Sequence, residues 1–393
     1  MNEPSFMIEK INNINSLETI KDIWDSLVEE SETKTIELTY EWQITFWQQF
    51  NQDAELSVFV IHQGGSIVAI SPLKLTTKRM FGSKVRTLEI IGARTSNYQD
   101  LIIGKNSAEV MEHLLDYLLK NETSWDRLSL RNIPETATTA CFFQENLKKY
   151  PLRKITQTDQ CAYLTLDQSW EEHLKNLGKH RKHVMKNKVT RIEKEIGKIR
   201  LRNSVTDDQM VSDLQEFYNS HRKRWAQTNT PSIFLDSKYC NFYSEAGLSL
   251  LHAGQFGLSV LEADHIPLAH LIYFTFKQSA LLQLITYDPD YYKYSPSLVL
   301  IDQFIAEAPA NNINEIDWGT YYSWKEPWVN HLKNKVHLIV FPKRFLPSAN
   351  YISTRLYLAL RSRIKKHPHI LSITENFLRR ARIFKWFSSR ESE

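Results

Sequence analysis

The sequence predicts an α+β fold. It has two tandem domains, residues 1–155 and 156–345, each a mixed β-sheet flanked by helices, then a basic helical tail over 346–393. Three observations predict this. Helical and strand periodicities alternate along the chain. One order, antiparallel strands and then a strand–helix–strand unit, runs twice. The stretch Leu281–Ala308 joins an apolar strand, a polar aromatic loop and an apolar helix. At 393 residues, with 42% hydrophobic and 24% charged residues, the chain has the balance of folded domains.

In the first domain, Leu17–Glu30 and Tyr40–Phe50 read as helices, the second rich in aromatics. Leu56–His62 and Ile67–Leu75 flank Gly64-Gly65, a two-residue hairpin signal. Val85–Ile91, Leu101–Ile103 and Leu128–Leu130 read as short strands. Ala108–Leu119 carries Val110, Leu114, Leu115 and Leu118 at helical spacing. In the second domain, Ala162–Leu166 and Lys198–Arg202 read as strands around a long basic helix, Trp170–Glu195. Asp207–Trp225 and Lys238–His252 read as helices. Phe256–Glu262, Pro267–Phe276 and Ala280–Tyr287 are three strands in quick succession. A helix, Leu298–Ala308, and strands Glu315–Trp318 and His337–Phe341 complete it. Beyond lie two basic helices, Ala349–Lys366 and Ile370–Phe387, separated at His367-Pro368.

Composition excludes several classes. Cys141, Cys161 and Cys240 are far apart, with no CxxC pair, so neither a disulfide framework nor a zinc site is expected. No apolar run reaches the roughly 18–20 residues of a membrane span. The start, MNEPSFMIEK, lacks a basic stretch followed by an apolar run, so the expectation is a cytoplasmic chain without a leader. The net charge of +4 is uneven: residues from Lys335 to Glu393 hold 13 Lys and Arg against three Glu, a net of +10. A second basic block, Lys175–Arg202, holds 11 Lys and Arg against Glu193 and Glu195. Each block is either an anion-attracting surface or a solvated helix face. Within the second block, KHRKHVMKNK has no aromatic ladder for base stacking, so nucleic acid is not the expected partner.

Leu281–Ala308 carries the most information. Ser295 is placed to cap the helix and Pro296 to be its first residue. A buried helix whose free amides face a strand end suits an anion, and Lys293 adds charge. With its flanks, this unit resembles the core of the GNAT acyltransferases. There a strand splays and its loop holds the pyrophosphate of coenzyme A at a helix N-terminus. The glycines of that loop are absent; Lys293-Tyr294-Ser295-Pro296-Ser297 stands in their place. Tyr287-Asp288-Pro289, Tyr294-Ser295-Pro296, Asp317-Trp318-Gly319, and Lys325 with Trp328 resemble a divergent branch, the two-domain FemAB-like acyltransferases, including those tied to cellulose and other polysaccharide synthesis. TYEWQITFWQQF, Ser71-Pro72-Leu73, LEIIGARTSNYQDLIIG, WDRLSLRNIP and FYNSHRKRW extend the resemblance across residues 35–345.

The resemblance implies tandem GNAT-like domains and acetyl-CoA, or another acyl-CoA, as cosubstrate, with no metal. It implies that amides of Leu284, Ile285 and Tyr287 polarise the acyl carbonyl, and that Lys293, Tyr294, Ser295 and Ser297 hold the pyrophosphate. Tyr322, or Tyr321, is the candidate acid for the leaving thiolate. Asp317 either deprotonates the acceptor or caps the following turn. His270 is either a core residue or a base. Lys325 meets an anionic acceptor or pairs with Asp317. Tyr40, Trp42, Asn97, Tyr98, Asp100 and Arg224 are candidates for the acceptor side, with Tyr40 and Trp42 alternatively filling an aromatic core. The implied reaction is N- or O-acylation of a sugar-bearing or lipid-linked envelope precursor. Two alternatives stand beside it: a Fem-type ligase using aminoacyl-tRNA, and a non-catalytic scaffold of a polysaccharide-synthesis complex. The tail either docks on the second domain or lies on the inner face of a membrane.

Overall fold

A computed structural model describes residues 5–80, 82–93, 95–166 and 178–365. The N-terminal half runs β1 (Phe6–Ile11), α1 (Ile14–Glu18), α2 (Lys21–Glu30), α3 (Tyr40–Phe50), β2 (Ala54–Gln63), β3 (Ser66–Met80), β4 (Ser83–Ile90), β5 (Ile102–Ile103), α4 (Ser107–Lys120), β6 (Arg127–Pro134) and α5 (Thr138–Glu145). The C-terminal half runs β7 (Leu152–Thr165), α6 (Gly178–Glu195), β8 (Ile199–Asn203), α7 (Asp207–Trp225), α8 (Ser237–Leu251), β9 (Phe256–Ala263), β10 (Ile266–Phe276), β11 (Ser279–Tyr287), α9 (Pro296–Glu307), β12 (Glu315–Thr320), β13 (His331–Pro342) and α10 (Phe345–Lys365).

Local chemistry sets most of these elements. Gly64 and Gly65 both take positive φ, as a two-residue hairpin turn requires, and β2 pairs with β3 across them. In α4, Val110, Met111, Leu114, Leu115 and Leu118 are buried at helical spacing, and Lys120 sits in the last turn, where the helix dipole favours a cation. The expected helix over Ile370–Phe387 and the start of the expected helix at Trp170 lie outside the described residues.

The two halves form one mixed sheet of order β1-β2-β3-β4-β6-β13-β7-β12-β11-β10-β9-β8, with β5 on β3. Each half has a parallel pair at its centre: β4 beside β6, and β11 beside β12. The closing strands are exchanged. β7, which follows the first half, pairs with β12 of the second; β13, which ends the second half, pairs with β6 of the first. Between these, β7 and β13 pair with each other from Leu152–Pro342 to Tyr163–His331. The expected boundary at 155/156 falls inside β7, and the last expected strand, His337–Phe341, lies against the other half. Hydrophobic alternation identifies a strand but not its partner, so the sequence separates two sheets that the structure joins.

The exchange repeats one local feature. The pairing of β6 with β13 shifts at residues 131–132, and that of β12 with β7 shifts at 318–319. The second residue of each bulge has positive φ: Asn132 at 58° and Gly319 at 65°. One apolar cluster also crosses the halves. Trp42 of α3 meets Phe242 of α8 and Phe274 of β10 edge-on, with ring centroids 5.1 and 4.8 Å away.

A test follows from the exchange. The full chain unfolds in one transition, with fluorescence and circular dichroism coincident. Residues 1–155 alone fail to fold, because the apolar edge of β6 loses β13. Leu338, fully buried in β13, costs about 2–5 kcal/mol when cut to Ala, and both probes shift together in a denaturant titration.

Candidate active site

A cavity of about 780 Å³ lies between the halves. Glu32–Ile36 and Pro134–Ala137 of the first half form part of its wall, and residues 332–334 of β13 another part. Tyr98, Tyr163, Leu281 and Asp317 line it as well. The Lys333 ammonium lies 3.9 Å from the centre of the Tyr163 ring, and His331 stacks on that ring.

The cavity reaches the point where the second parallel pair opens. β11 and β12 are paired only over Ser279–Leu281 and Glu315–Asp317, and then they part. Asp317 is the last paired residue of β12, and its Oδ1 accepts the Gly319 amide at 2.7 Å. A side chain at Gly319 would place its Cβ 2.5 Å from Asn97 Oδ1, so this approach requires glycine. Asn97 donates to Gln283 Oε1 at 3.3 Å, and Gln283 donates in turn to the Thr95 carbonyl at 3.2 Å. Residues 95–98 of the first half therefore sit across the opening in the second.

A buried polar network holds this loop. Glu37, fully buried, accepts the Asn97 and Tyr98 amides, each at 2.6 Å. Lys335, 3% exposed, donates to the Asn97 carbonyl and to Thr320 Oγ1 at 3.2 and 3.0 Å. Trp42 Nε1 donates to Ser96 Oγ, and Asn132 Nδ2 to the Ser96 carbonyl. Burial pushes the Glu37 carboxyl up to about 8, against the two amides that favour its charged form. Burial likewise raises Asp317 to about 6, opposed by the Gly319 amide, the Tyr163 hydroxyl and Lys335. The Tyr98 and Tyr163 phenols are pushed up by burial and by Asp317, and the Cys161 thiol between the halves to about 11. Asp317 is thus the acid in this cluster that ionises just below neutrality while facing the cavity.

The far side of the C-terminal half presents a second constellation. The loop Pro289–Tyr294 leads into α9. Ser295 stands at the N-cap with φ 53°, but its hydroxyl makes no cap; it accepts from Lys188 Nζ of α6 at 2.6 Å. The expected cap is corrected here: left-handed backbone turns the hydroxyl away from the helix amides. Ser297 Oγ is buried without a partner among the described residues. Lys293 meets Glu195 at 3.3 Å, and the Tyr294 hydroxyl donates to the same carboxylate at 2.8 Å. Arg224, at the end of α7, donates to the Ile285 carbonyl at 3.3 Å, and its guanidinium lies 4.6 Å from the Tyr287 ring centre.

The remaining predicted residues are placed as follows. Tyr98 and Asp317 share the cavity, with Asn97 beside them. Tyr40 and Trp42 are buried in the core between helices and strands and do not line the cavity. Asp100 is buried, bonded to Thr33 Oγ1 and the Leu101 amide, and so supports the wall at Thr33. His270 is 1% exposed; neither ring nitrogen has a hydrogen-bond partner among the described residues, and the Glu216 carboxylate is 3.7 Å from Nε2. Lys325 lies in the turn after β12. It is buried and donates to the Trp318 and Thr320 carbonyls at 2.5 and 2.8 Å, closing the turn after β12. Tyr322 begins that turn, with the Lys325 ammonium 5.2 Å from its ring. Leu284 is buried in β11. Glu37, Lys335, Tyr163 and Lys188 are not predicted. Glu37 and Lys335 read as solvent charges, because nothing local signals their burial. No group of His, Cys, Asp and Glu among the described residues is arranged to hold a metal ion.

Comparison with known proteins bears on the fold. Residues 179–326 match the acetyltransferase (GNAT) domain family. Among solved structures, FemX is similar at a TM-score of 0.60 and 11% identity, over 88% of this chain and 99% of that one. A conserved protein of unknown function from Bacteroides thetaiotaomicron is similar at 0.52 and 9% identity, over 85% and 100%. At these identities the likeness is one of fold. No curated protein matches the sequence. Lys188 and Ser295 meet at the start of α9, and the Ser297 hydroxyl two residues on is buried without a partner among the described residues; this donor set is compatible with the phosphate end of a coenzyme.

Glu37 supplies a test. Between about pH 4.5 and 8 the folded chain keeps a proton on Glu37 that the unfolded chain has released, so stability falls as pH rises through that window. Glu37→Gln flattens this slope in denaturant titrations. It also loosens residues 95–98, at a cost of about 1–3 kcal/mol below pH 5, because one amide loses its acceptor.

Proposed function

We propose that the protein is a GNAT-type acyltransferase that acylates an amine or hydroxyl of a sugar-bearing precursor held in the cavity between its halves. The observation that carries this reading is Asp317: a buried carboxyl near pKa 6, at the parting of β11 and β12, facing a cavity of about 780 Å³. That volume is within the roughly 300–1,000 Å³ of small-molecule sites, and its lining mixes tyrosines with Glu135, Lys333 and Asn334, suited to a polar acceptor.

Asp317 takes the proton from the acceptor nitrogen or oxygen. Its bond to the Gly319 amide fixes the carboxylate, and Lys335 balances the charge before transfer. Tyr98 and Tyr163, with phenols held neutral, bound the nucleophile and keep bulk water out. Tyr322 is the proposed donor of a proton to the leaving group. An acyl-CoA, when bound, supplies an activated thioester; Lys188, Lys293, Ser295 and Ser297 would hold its phosphates, and Leu284, Ile285 and Tyr287 would line its arm.

One observation favours a second donor. The Ile285 carbonyl already accepts from Arg224, and Asn97 and Gln283 bridge the opening beyond it. A donor without a pantetheine arm, such as an aminoacyl ester, need not thread this opening. The FemX-like fold is compatible with that reading.

Calorimetric titration with acetyl-CoA and CoA separates the two donors. The acyl-CoA reading expects micromolar binding that Lys188→Glu weakens ten- to a hundredfold, the loss of a charged hydrogen bond of roughly 1.5–3 kcal/mol. Absence of binding by folded protein moves the reading to the aminoacyl donor. With either donor, Asp317→Asn lowers turnover about 10²–10⁴-fold. The wild-type rate falls on acidification through pH 6, as Asp317 gains its proton. A wild-type rate flat from pH 5 to 8 rules out Asp317 as the base.

A further inference from the structure

The helix α10 presents an apolar face that nothing among the described residues covers. Its inner side is fixed: Tyr351 packs edge-on against Phe341 of β13, Arg153 lies over the Tyr351 ring, and Asn350 and Thr354 are buried. Arg344, just before the helix, donates to the Thr123 and Trp125 carbonyls. The root of α10 is therefore a rigid extension of the sheet. Its outer side carries Ile352, Leu356 and Leu360, four residues apart on one face and 53%, 66% and 58% exposed, with Phe345 92% exposed at the start. Scattered exposed leucines are ordinary, but three in line on a fixed helix form a stripe.

The charge around the stripe says what would cover it. Lys343, Arg355 and Arg363 are exposed beside it. No Asp or Glu occurs between Glu326 and Glu375. Residues 366–393 are themselves basic, with six Lys and Arg against three Glu, so they add to the positive charge of this part of the chain. A second copy of the helix would bring like charges together. We propose that α10 seats the protein on an anionic phospholipid surface, with Phe345, Ile352, Leu356 and Leu360 entering the headgroup boundary and the flanking Lys and Arg meeting lipid phosphates. No helix among the described residues is long and apolar enough to cross a membrane, so the contact is peripheral.

The test is sedimentation of the full chain with phosphatidylcholine vesicles, with and without phosphatidylglycerol. Binding is expected only with phosphatidylglycerol, and it weakens as salt rises. Arg355→Glu and Arg363→Glu each weaken binding about fivefold or more. Leu356→Asp with Leu360→Asp abolishes retention while circular dichroism and any CoA affinity stay unchanged, since both side chains are exposed. Three results overturn the proposal: no retention on anionic vesicles, retention that the leucine substitutions leave intact, or a dimer in sedimentation velocity that the same substitutions dissociate.

Discussion

The pairing of β13 with β7, each strand carried over to the opposite half, is the constraint on which the rest of the structure depends. Without it β6 and β12 would both be edges beside open, splayed pairs. Buried strands with apolar faces cannot be left unpaired in water. Exchange solves this twice with one interaction, and it fixes the relative position of the halves through main-chain hydrogen bonds rather than through side chains alone. It also explains why residues 95–98 of one half can hydrogen-bond to Gln283 and pack closely on Gly319 in the other. A loop held only by packing between independent domains would drift, and the Asn97–Gly319 approach has no room for drift.

That rigidity accounts for the buried charges. Glu37, Asp317 and Lys335 lie together where solvent is excluded, and each would be costly alone. Glu37 accepts two amides, Lys335 donates to a carbonyl and a hydroxyl, and both order the same loop. Asp317 differs. It is held by the Gly319 amide and the Tyr163 hydroxyl, lines the cavity and is raised to about 6. A carboxyl that titrates near neutrality beside a cavity is what the proposed proton transfer requires.

The sequence shows its elements far better than its partners. The Gly64-Gly65 hairpin, the α4 stripe and the strand–loop–helix at Leu281–Ala308 are local, and each is legible from residue type and spacing. The continuous sheet is not, because β7 and β13 look alike whichever half they join. The same limit governs the site. Asp317, Tyr98 and Asn97 are reached through resemblance, and the structure groups them around one opening. Trp42 carries the same resemblance, yet it is buried as the hinge of the aromatic core. Glu37 and Lys335 sit in polar stretches, and only tertiary burial turns them from surface charges into the network that orders the loop. Ser295 has the right residue type for a cap, but its left-handed backbone makes it a ligand of Lys188 instead.

The strand that joins the halves also relates the cavity to α10. Residues 332–334 of β13 line the cavity, and the strand runs to Pro342 just before α10 begins. Nine residues of strand span at most roughly 30 Å. A lipid surface met at the start of α10 would therefore leave the cavity within a few tens of ångströms of the headgroups, since β13 is a fixed part of the sheet. An acceptor reached at that distance must either diffuse in from solution or carry a head group long enough to rise from the bilayer. The acidic balance of −6 before Lys335 opposes the basic +10 from Lys335 on, so the charge that suits an anionic surface is carried by the C-terminal stretch of the sequence. On the proposed membrane contact, the polar lining of the cavity and the apolar stripe on α10 would serve one arrangement: the bilayer would be met at α10, and the proposed chemistry would be kept in protein above it.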